Sequence, residues 1–258
     1  MTDKTKNNND TTIGNSYAAE SENEAYRKLV EFSKNSPIPD NELLTNLGLY
    51  QVRPTIGRTL FFNTLYQKAL TTQGVIMEFG VRWGQTMALF TTLRNLYEPY
   101  NLSRKIIGFD TFEGFPDVSE KDGNFNSIKA GAFSVPKGYE DHLGDLLTTH
   151  EQLAPRGHIK KHELVKGRVE DTLPKYLHDH PETIISLAYF DLDLYEPTKK
   201  CLEFIRPHLV KNSIIGFDEL ALQEFPGETQ ALKDAWGLSN FEIIRSPLSP
   251  QQSYLVVG

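Results

Sequence analysis

The stretch that decides the fold lies at residues 75–97 and reads VIMEFGVRWGQTMALFTTLRNLY. It begins with a short apolar run, which predicts a buried β-strand. Gly80 and Gly84 follow, and glycine allows a tight turn and a close approach of the backbone to a ligand. From Gln85 to Tyr97 the pattern is that of a helix. A strand, a glycine turn and a helix in this order predict an α/β fold.

Outward from this stretch, predicted strands and helices alternate to the end of the chain. Further strands are predicted at 105–110, 162–167, 184–190, 213–218, 241–244 and 253–257, and further helices at 139–153, 197–209 and 228–236. Near-continuous apolar runs indicate strands that are buried on both faces, as in a parallel sheet covered by helices. We therefore predict a doubly wound, mostly parallel, seven-stranded sheet.

The residues before this alternation divide into two parts. Residues 1–20 are polar and cannot bury enough apolar surface to offset the entropy of ordering, so we predict a disordered tail. Residues 21–72 carry apolar side chains at helical spacing, with a helix predicted over 57–70, and form a helical N-terminal extension. The domain with the alternating elements is then predicted to span 73–258.

The composition excludes several classes of protein. The 258 residues include 27 Lys and Arg against 34 Asp and Glu, which gives a net charge of −7, and 39% are hydrophobic. The sequence contains no block of Lys and Arg of the kind that binds nucleic acid. It also contains no apolar run close to the roughly 20 residues of a membrane-spanning helix. A single cysteine, Cys201, excludes an intramolecular disulfide framework. We expect a soluble, cytoplasmic protein that binds neither nucleic acid nor a membrane.

Three predicted strands end in an acidic residue, at Asp110, Asp191 and Asp218. Ligands of open α/β sheets bind outside the carboxyl ends of the strands, so these carboxylates are expected to line one crevice. Each Asp could instead be a helix cap or a turn residue, which is a common role for Asp. The repetition on three strands of one sheet favours the shared crevice.

Asp110 and the glycine turn together predict a nucleoside cofactor. An acid at the tip of the second strand can accept hydrogen bonds from both ribose hydroxyls of a nucleoside. The turn lacks the GxGxxG fingerprint of dinucleotide enzymes, and the chain has no phosphate-binding P-loop. We therefore expect a nucleoside without a pyrophosphate, which argues against a dehydrogenase.

The acids that follow the fourth and fifth strands predict a cation site. Clustered carboxylates repel one another unless they are protonated or neutralised, and hard oxygen ligands suit Mg²⁺, Mn²⁺ or Ca²⁺. The alternative is a helix N-terminus that carries favourable negative charge. Because Asp191 lies at the strand tip, Asp191, Asp218 and Glu219 rank above Asp193 as ligands.

Five motifs occur in the order seen in one enzyme family. They are EFGVRWG at 78–84, DTFEGFP at 110–116, DTLP at 171–174, DLDLYEPT at 191–198 and IGFDE at 215–219. From about Thr55 to its end, the chain resembles the macrolide-sugar O-methyltransferases typified by the macrocin and mycinamicin enzymes. The resemblance implies a Rossmann-like class I S-adenosylmethionine (SAM) methyltransferase that uses Mg²⁺ or Mn²⁺. It further implies a sugar hydroxyl as the small-molecule acceptor, a role in natural-product or glycan biosynthesis, and a homodimer or other homo-oligomer.

The resemblance also implies roles for individual residues. The cofactor-binding positions are Thr55, Glu78, Gly80, Gly84, Asp110, Arg168 and Val169, and the metal ligands are Asp191, Asp218 and Glu219. Two positions depart from the family. The family usually has Asp-Gly-Asp where this chain has Asp191-Leu192-Asp193, so Leu192 replaces the glycine. The family usually has Asp-Asp where this chain has Asp218-Glu219, so Glu219 replaces the second Asp. Glutamate is still an oxygen ligand, but it reaches one methylene further.

Two residues are candidates for the catalytic base. Asp191 is expected to collect the proton of the acceptor hydroxyl. His142 is the second candidate, although a lone His in a polar helix is more often a surface residue. The long polar segment at 111–137 carries several glycines, and we predict that it is a mobile lid over the active site.

Two other functions fit the same residues. One is O-methylation of a non-sugar hydroxyl, such as that of a catechol-like diol. The other is binding of SAM or a nucleotide sugar without turnover. The predicted metal ligands Asp191, Asp218 and Glu219 argue against the second, because a non-catalytic protein has no need of them.

Overall fold

The computed structural model describes residues 18–123 and 128–258. The predicted disordered tail therefore lies almost wholly outside the described residues, as does part of the predicted lid. The chain divides into two compact units, Met1–Ile56 and Gly57–Gly258. The domain boundaries predicted from the sequence, at residues 20 and 72, stay predictions.

Helices make up the described part of the first unit. Helix α1 spans Glu20–Lys34, α2 spans Asp40–Asn46, and a 3₁₀ turn follows at Leu47–Tyr50. The first turn of α1 is capped by Glu22, whose carboxylate accepts a hydrogen bond from the Ala19 amide at 2.7 Å. The helical N-terminal extension predicted from the sequence is confirmed.

In the described residues, seven strands form one sheet in the order β3-β2-β1-β4-β5-β7-β6. Their bounds are β1 Val75–Phe79, β2 Ile106–Asp110, β3 His162–Lys166, β4 Ile185–Phe190, β5 Leu209–Phe217, β6 Ile244–Arg245 and β7 Ser253–Val256. Strands β1 to β5 are parallel, and β7 is antiparallel to both of its neighbours. The predicted fold class is confirmed. Strand β6 is shorter than predicted and lies three residues later.

Six helices accompany the sheet in the described part of the chain. They are α3 Arg53–Ala69, α4 Gln85–Tyr97, α5 Tyr139–Gln152, α6 Val169–Asp179, α7 Tyr195–Ile205 and α8 Gly227–Ala235. The bounds of α4 agree with the sequence prediction. Helix α3 begins earlier than predicted, and α7 ends earlier because a 3₁₀ turn replaces its last residues at Arg206–His208. No helix of the described residues is long and apolar enough to cross a membrane.

A row of phenylalanines aligns the ends of four parallel strands. Phe79, Phe109, Phe190 and Phe217 are fully buried and lie at matching positions of β1, β2, β4 and β5. Their ring centroids are 5.3 Å apart between β1 and β2, 4.9 Å between β1 and β4, and 5.2 Å between β4 and β5. Because this packing fixes the register, the residues directly after the phenylalanines meet at one edge of the sheet.

The strand order reverses between β1 and β4, and ligands of open α/β sheets bind at such a point. The chain runs outward from β1 to β2 and β3 on one side, and from β4 to β5 on the other. The first residues after β1 and β4 are Gly80 and Asp191. The fold therefore places the glycine turn and the fourth-strand acid side by side at the predicted crevice.

Candidate active site

The glycine turn after β1 lies against Asp191, the first residue after β4. Gly80 has a φ of +91°, and a Cβ atom at this position would lie 1.9 Å from the backbone oxygen of Asp191. Gly84 begins α4 with a φ of +74°, and a Cβ there would lie 2.4 Å from the side chain of Leu143. Both predicted turn glycines are therefore required by the positive φ values and by the close packing of the turn against Asp191 and Leu143.

Asp110, at the end of β2, holds the glycine turn in place. Its Oδ2 accepts hydrogen bonds from the backbone N–H groups of Val81 and Arg82, at 2.7 and 2.8 Å. Its Oδ1 accepts from the N–H of Phe112 at 2.5 Å. A carboxylate has about four acceptor positions, so Asp110 keeps capacity for a further donor such as a ribose hydroxyl. The structure thus gives Asp110 the role of a turn residue, which the sequence analysis left open as an alternative.

Asp191 and Asp218 share one arginine. The Nη2 atom of Arg58 donates to Asp191 Oδ2 at 2.7 Å, and its Nη1 atom donates to Asp218 Oδ1. The Asp218 oxygen also accepts hydrogen bonds from the Tyr189 hydroxyl and from the Gln252 amide, the latter at 2.7 Å. The two predicted strand-end acids are therefore adjacent, and a guanidinium lies between them.

A second carboxylate pair lies beside the first. Glu219 and Asp193 share a side-chain hydrogen bond. Burial and the charge of Asp193 raise the pKa of Glu219 well above its ordinary value. Asp193 has a φ of +60°, an uncommon conformation for a residue other than glycine. The sequence ranked Asp193 below the other acids, but the structure places it in the same cluster.

Glu228 binds the two loops that carry the acidic residues, one after β4 and one after β5. It is fully buried at the start of α8, and its two oxygens accept hydrogen bonds from the backbone N–H groups of Leu192 and Glu219, at 3.1 and 3.3 Å. Burial and the charge of Asp193 raise the pKa of Glu228 well above its ordinary value. The residue therefore sets the positions of the loops that follow β4 and β5.

Burial also affects the two acids nearest the glycine turn. Burial and the charge of Asp218 raise the pKa of Asp191 to about 8, while the Arg58 ion pair opposes the shift. Glu78, on β1, is fully buried, and burial together with the charge of Asp191 raises its pKa well above the usual value. A carboxyl group with a raised pKa is a better proton acceptor once it is ionised, and such groups cluster at functional sites.

The predicted metal ligands fit a divalent cation in chemistry, but they are not grouped around a common point. Asp191, Asp218 and Glu219 would supply carboxylate oxygens, which Mg²⁺ prefers. Glu219 Oε2 is buried and has no hydrogen-bond partner in the described part of the chain. Among residues 18–123 and 128–258, however, no three His, Cys, Asp or Glu side chains are arranged to hold a metal ion. The reason lies in the partners already described: Arg58 separates the two aspartates, and Glu219 turns toward Asp193.

His142 is exposed on α5, beside an aromatic pair at the glycine turn. Its ring centroid lies 5.6 Å from that of Tyr139, and the Tyr139 hydroxyl donates to the backbone oxygen of Trp83 at 3.1 Å. Trp83 packs edge-on against Tyr139 with 5.0 Å between ring centroids. The contacts described for His142 do not include Asp191 or Asp218, so its role as a base stays a prediction.

Three other residues predicted to bind the cofactor, Arg168, Val169 and Thr55, differ in their surroundings. Arg168 precedes α6, and its guanidinium pairs with Asp117 and Glu170. Val169 is buried and belongs to the hydrophobic core. Thr55 belongs to the first unit, so its part in cofactor binding, like that of Arg168 and Val169, stays a prediction.

Several contacts hold the described part of the predicted lid. At its base, the Phe115 N–H donates to the Ala132 oxygen at 3.0 Å. Further along, Asp122 is buried, and its Oδ1 accepts from the Tyr195 N–H at the start of α7, at 2.6 Å. Residues 124–127 lie outside the described residues. The mobility of the segment 111–137 therefore stays a prediction.

Sequence reasoning missed the residues that hold the acids in position. Arg58, Tyr189, Gln252 and Glu228 come from four different elements or loops, and no local pattern joins them to the strand ends. A weak signal was present at Arg58, which directly follows the Thr55-Ile56-Gly57 segment that resembles the family. Its proximity to Asp191 and Asp218 appears once the chain is folded.

The chain is similar to several solved methyltransferase structures. The crystal structure of CalS11, a calicheamicin methyltransferase, is 45% identical with a TM-score of 0.91, and the match covers 94% of this chain and 95% of that chain. The apo structure of CalS11, described as a TDP-rhamnose 3′-O-methyltransferase of calicheamicin biosynthesis, is 41% identical with a TM-score of 0.83, covering 94% and 96%. The O-methyltransferase NovP shares the fold, with 19% identity, a TM-score of 0.59 and coverage of 78% and 80%.

No protein-family model and no curated protein matches the chain. The identity to CalS11 over nearly the full length of both chains is nevertheless sufficient to assign a family. It confirms the resemblance drawn from the motifs, including the use of SAM. The chain belongs to the class I SAM-dependent sugar O-methyltransferases, and it is an enzyme that transfers a methyl group from SAM to a hydroxyl.

Proposed function

We propose that this enzyme methylates a hydroxyl of a nucleotide-linked deoxysugar, and that it does so with the help of a divalent cation. The observation that carries the proposal is the pair of acids at the ends of adjacent strands, Asp191 and Asp218, with Asp191 in contact with the Gly80 turn. The similarity to CalS11, which is described as acting on TDP-rhamnose at the 3′-oxygen, supports the acceptor class and a role in natural-product biosynthesis.

The ends of β1 and β2 hold the cofactor in this proposal. The Gly80 turn offers its backbone to SAM, and Asp110 accepts hydrogen bonds from the ribose hydroxyls with the acceptor positions that its amide partners leave open. A cofactor bound there leaves the ends of β4 and β5 for the acceptor. Methyl transfer then requires the acceptor oxygen to be aligned with the methyl group of the sulfonium.

Asp191 is the proposed base. As the acceptor oxygen forms its bond to the methyl carbon, the bond between that carbon and the sulfonium sulfur breaks, and the hydroxyl proton passes to Asp191. Its contact with the Gly80 turn, which we propose binds SAM, supports this role.

Asp191, Asp218 and Glu219 are the proposed ligands of the cation. A bound divalent cation would lower the pKa of the acceptor hydroxyl. The all-carboxylate donor set and the unpartnered Oε2 of Glu219 support this assignment. We expect EDTA to abolish turnover and Mg²⁺ or Mn²⁺ to restore it, while calorimetric SAM binding is retained. Full turnover in EDTA would contradict the cation requirement.

The acceptor class is tested by mass spectrometry of the products formed with SAM. TDP-rhamnose, free rhamnose and a catechol are offered separately, and methylated product is expected from the nucleotide sugar. The Asp191→Asn variant should lose at least about 100-fold in rate, as expected when a general base is removed. Asp145→Asn, on the exposed face of α5, is the control and should retain the rate. Faster methylation of the catechol would contradict the proposal.

We also propose that the enzyme is a homo-oligomer. In the first unit, Phe32 and Leu44 are 67% and 79% exposed, and burial of apolar side chains of this size favours association. Light scattering coupled to size exclusion should give a mass of two or more chains. The mass of a single chain at micromolar concentration would contradict this.

A further inference from the structure

Arg58 lies where two carboxylates converge, and its side chain is directed there by aromatic rings. The guanidinium carbon lies 5.0 Å from the ring centroid of Phe62 and 5.8 Å from that of Tyr189. Both rings are buried. The rings and the two aspartates together hold the guanidinium between the carboxylates.

The backbone of α3 supports this position. Gly57 precedes Arg58, and a Cβ atom at Gly57 would lie 2.7 Å from the backbone oxygen of Leu248. A larger residue would push the helix away from that loop. The glycine therefore lets the first turns of α3 approach closely enough for Arg58 to reach the ends of β4 and β5.

The hydrogen bonds of Arg58 occupy one oxygen of each aspartate. Asp218 Oδ1 accepts from Arg58, from the Tyr189 hydroxyl and from Gln252, so this oxygen has no lone pair left for a metal ion. Asp191 Oδ2 accepts from Arg58 as well. The guanidinium also places a positive charge between the two carboxylates, and like charges repel at short range. The arginine and a metal ion therefore compete for these two side chains.

We infer that Arg58 is a built-in counter-ion that occupies the space between Asp191 and Asp218, and that a divalent cation binds there when the arginine moves aside. This inference rests on the proposed cation site. Arg58 is a positioning residue in this arrangement: it keeps two like charges together before the cation arrives. The cation must displace two charge-assisted hydrogen bonds in order to bind, which lowers its affinity for the free enzyme.

The test is the affinity of the purified full-length protein for Mn²⁺, measured by electron paramagnetic resonance of the free ion without SAM or acceptor. Arg58→Gln should bind Mn²⁺ about tenfold more tightly than the wild type or better. Arg82→Gln is the matched control. Burial raises the pKa of Asp193, and Arg82 lies close enough for its charge to oppose that shift, but the bonds described for Arg82 do not reach Asp191 or Asp218.

Two results would overturn the inference. One is an unchanged or weaker Mn²⁺ affinity in Arg58→Gln. The other is an equal gain in Arg82→Gln, because the effect would then come from net charge and not from the position of the guanidinium. If the wild type methylates TDP-rhamnose while Mn²⁺ affinity is the same in all three proteins, the Arg58 inference fails and the acceptor proposal stands.

A second measurement uses the unmodified chain, so that it does not depend on the folding of a variant. In protein labelled with ¹⁵N-arginine, the side-chain signals of Arg58 should shift when the diamagnetic Mg²⁺ is added, and those of Arg82 should change less. The Arg58→Lys variant identifies the signals. An Arg58 signal that stays in place while Mg²⁺ binds would overturn the inference.

Discussion

Asp110 combines two roles in one carboxylate. It accepts hydrogen bonds from the N–H groups of Val81, Arg82 and Phe112, and it thereby shapes the glycine turn before any cofactor binds. The proposed bond to the ribose uses the capacity that remains. Loss of this side chain therefore removes a contact to SAM and also loosens the turn that contacts SAM.

The Asp110→Ala variant should weaken SAM binding by about 1.5 to 3 kcal/mol, the range for hydrogen bonds to a charged group. Isothermal titration calorimetry measures the affinity. The matched control is Glu113→Ala, an exposed acid on the same loop, which should bind SAM as the wild type does. Equal affinity in both variants would remove Asp110 from the cofactor site.

Gly80 allows a close backbone approach, and its replacement has a calculable consequence. A Cβ atom would lie 1.9 Å from the Asp191 oxygen, at a φ of +91° that other residues rarely adopt. Gly80→Ala should therefore lose about 1 to 3 kcal/mol or more of folding free energy and all measurable SAM binding. Chemical denaturation and calorimetry measure the two effects.

Gly144→Ala serves as the control for the glycine variant. This residue lies within α5, and a Cβ atom there would meet nothing within 4 Å. Alanine in a helix interior should leave the protein as stable or more stable by about 0.5 to 1 kcal/mol. If Gly80→Ala were as stable as Gly144→Ala, the close packing of the turn on β4 would be wrong.

The strand-end acids could be predicted from the sequence because each follows a buried apolar run directly. Asp110, Asp191 and Asp218 therefore have positions that follow from the strand pattern alone. The partners of these acids could not be predicted in this way. Arg58 is on a helix and Gln252 is in the loop before β7, and their contacts depend on the packing of those elements over the sheet.

At the scale of elements, the segment 111–137 carries the clearest prediction about dynamics. Its base is closed by the bond from Phe115 to Ala132, and Arg168 at the start of α6 pairs with Asp117 within it. Binding of SAM and acceptor should add contacts along this segment and slow its exchange. Hydrogen–deuterium exchange with mass spectrometry should show protection that increases from the free to the doubly liganded enzyme.

The control for the exchange experiment is a peptide from α1, which belongs to the first unit and is predicted to change less. Exchange across 111–137 that is already slow in the free protein, and that ligands do not alter, would mean that the segment is a fixed part of the wall. The whole segment would then be held as firmly as Asp122 is held by its hydrogen bond from the Tyr195 N–H.

Elements were predictable to the extent that their apolar pattern is continuous. Helix α4 and strands β1, β2 and β3 agree with the sequence analysis because turns or glycines bound them. Helix α6 was not predicted, since Pro174 lies inside it, where proline removes a backbone hydrogen-bond donor. Strand β6 has a length of 2 residues, too few to produce a periodic signal.

For the molecule as a whole, acid stability depends on buried carboxylates with cationic partners. Glu98 accepts hydrogen bonds from the Tyr66 hydroxyl at 2.7 Å and from Arg104 Nε at 2.9 Å. Burial opposes its charge, but the hydrogen bonds from Arg104, Tyr66 and Asn101 lower the pKa of Glu98 below its ordinary value. This carboxylate therefore joins α3 to α4 and to the loop before β2.

A lowered pKa fixes the sign of the pH dependence. Glu98 stabilises the fold above its unfolded pKa of about 4.3, and this contribution is lost as the pH falls through the lower folded value. The wild type should lose free energy of unfolding on acidification from about pH 5, and Glu98→Gln should lose less. Urea unfolding at several pH values measures this, with Glu242→Gln as the exposed control. Parallel pH profiles of the Glu98 and Glu242 variants would contradict the assignment.

The whole fold was more predictable than the site. A doubly wound sheet follows from alternating strands and helices, and the row formed by Phe79, Phe109, Phe190 and Phe217 explains why its strand ends are level. The sequence could not show that an arginine occupies the acidic cluster in the folded chain. We therefore expect a divalent cation to compete with Arg58 for Asp191 and Asp218.

We propose that the ends of β1, β2, β4 and β5 form one site for the cofactor and the cation. A crystal structure with S-adenosylhomocysteine and Mn²⁺ tests this most directly, because anomalous scattering locates the metal independently of the protein. We expect the ribose at Asp110, the sulfur toward Asp191, and an anomalous peak shared by Asp191, Asp218 and Glu219, with Arg58 displaced. Ribose away from Asp110, or Mn²⁺ absent from these carboxylates while Arg58 keeps its place, would contradict the account.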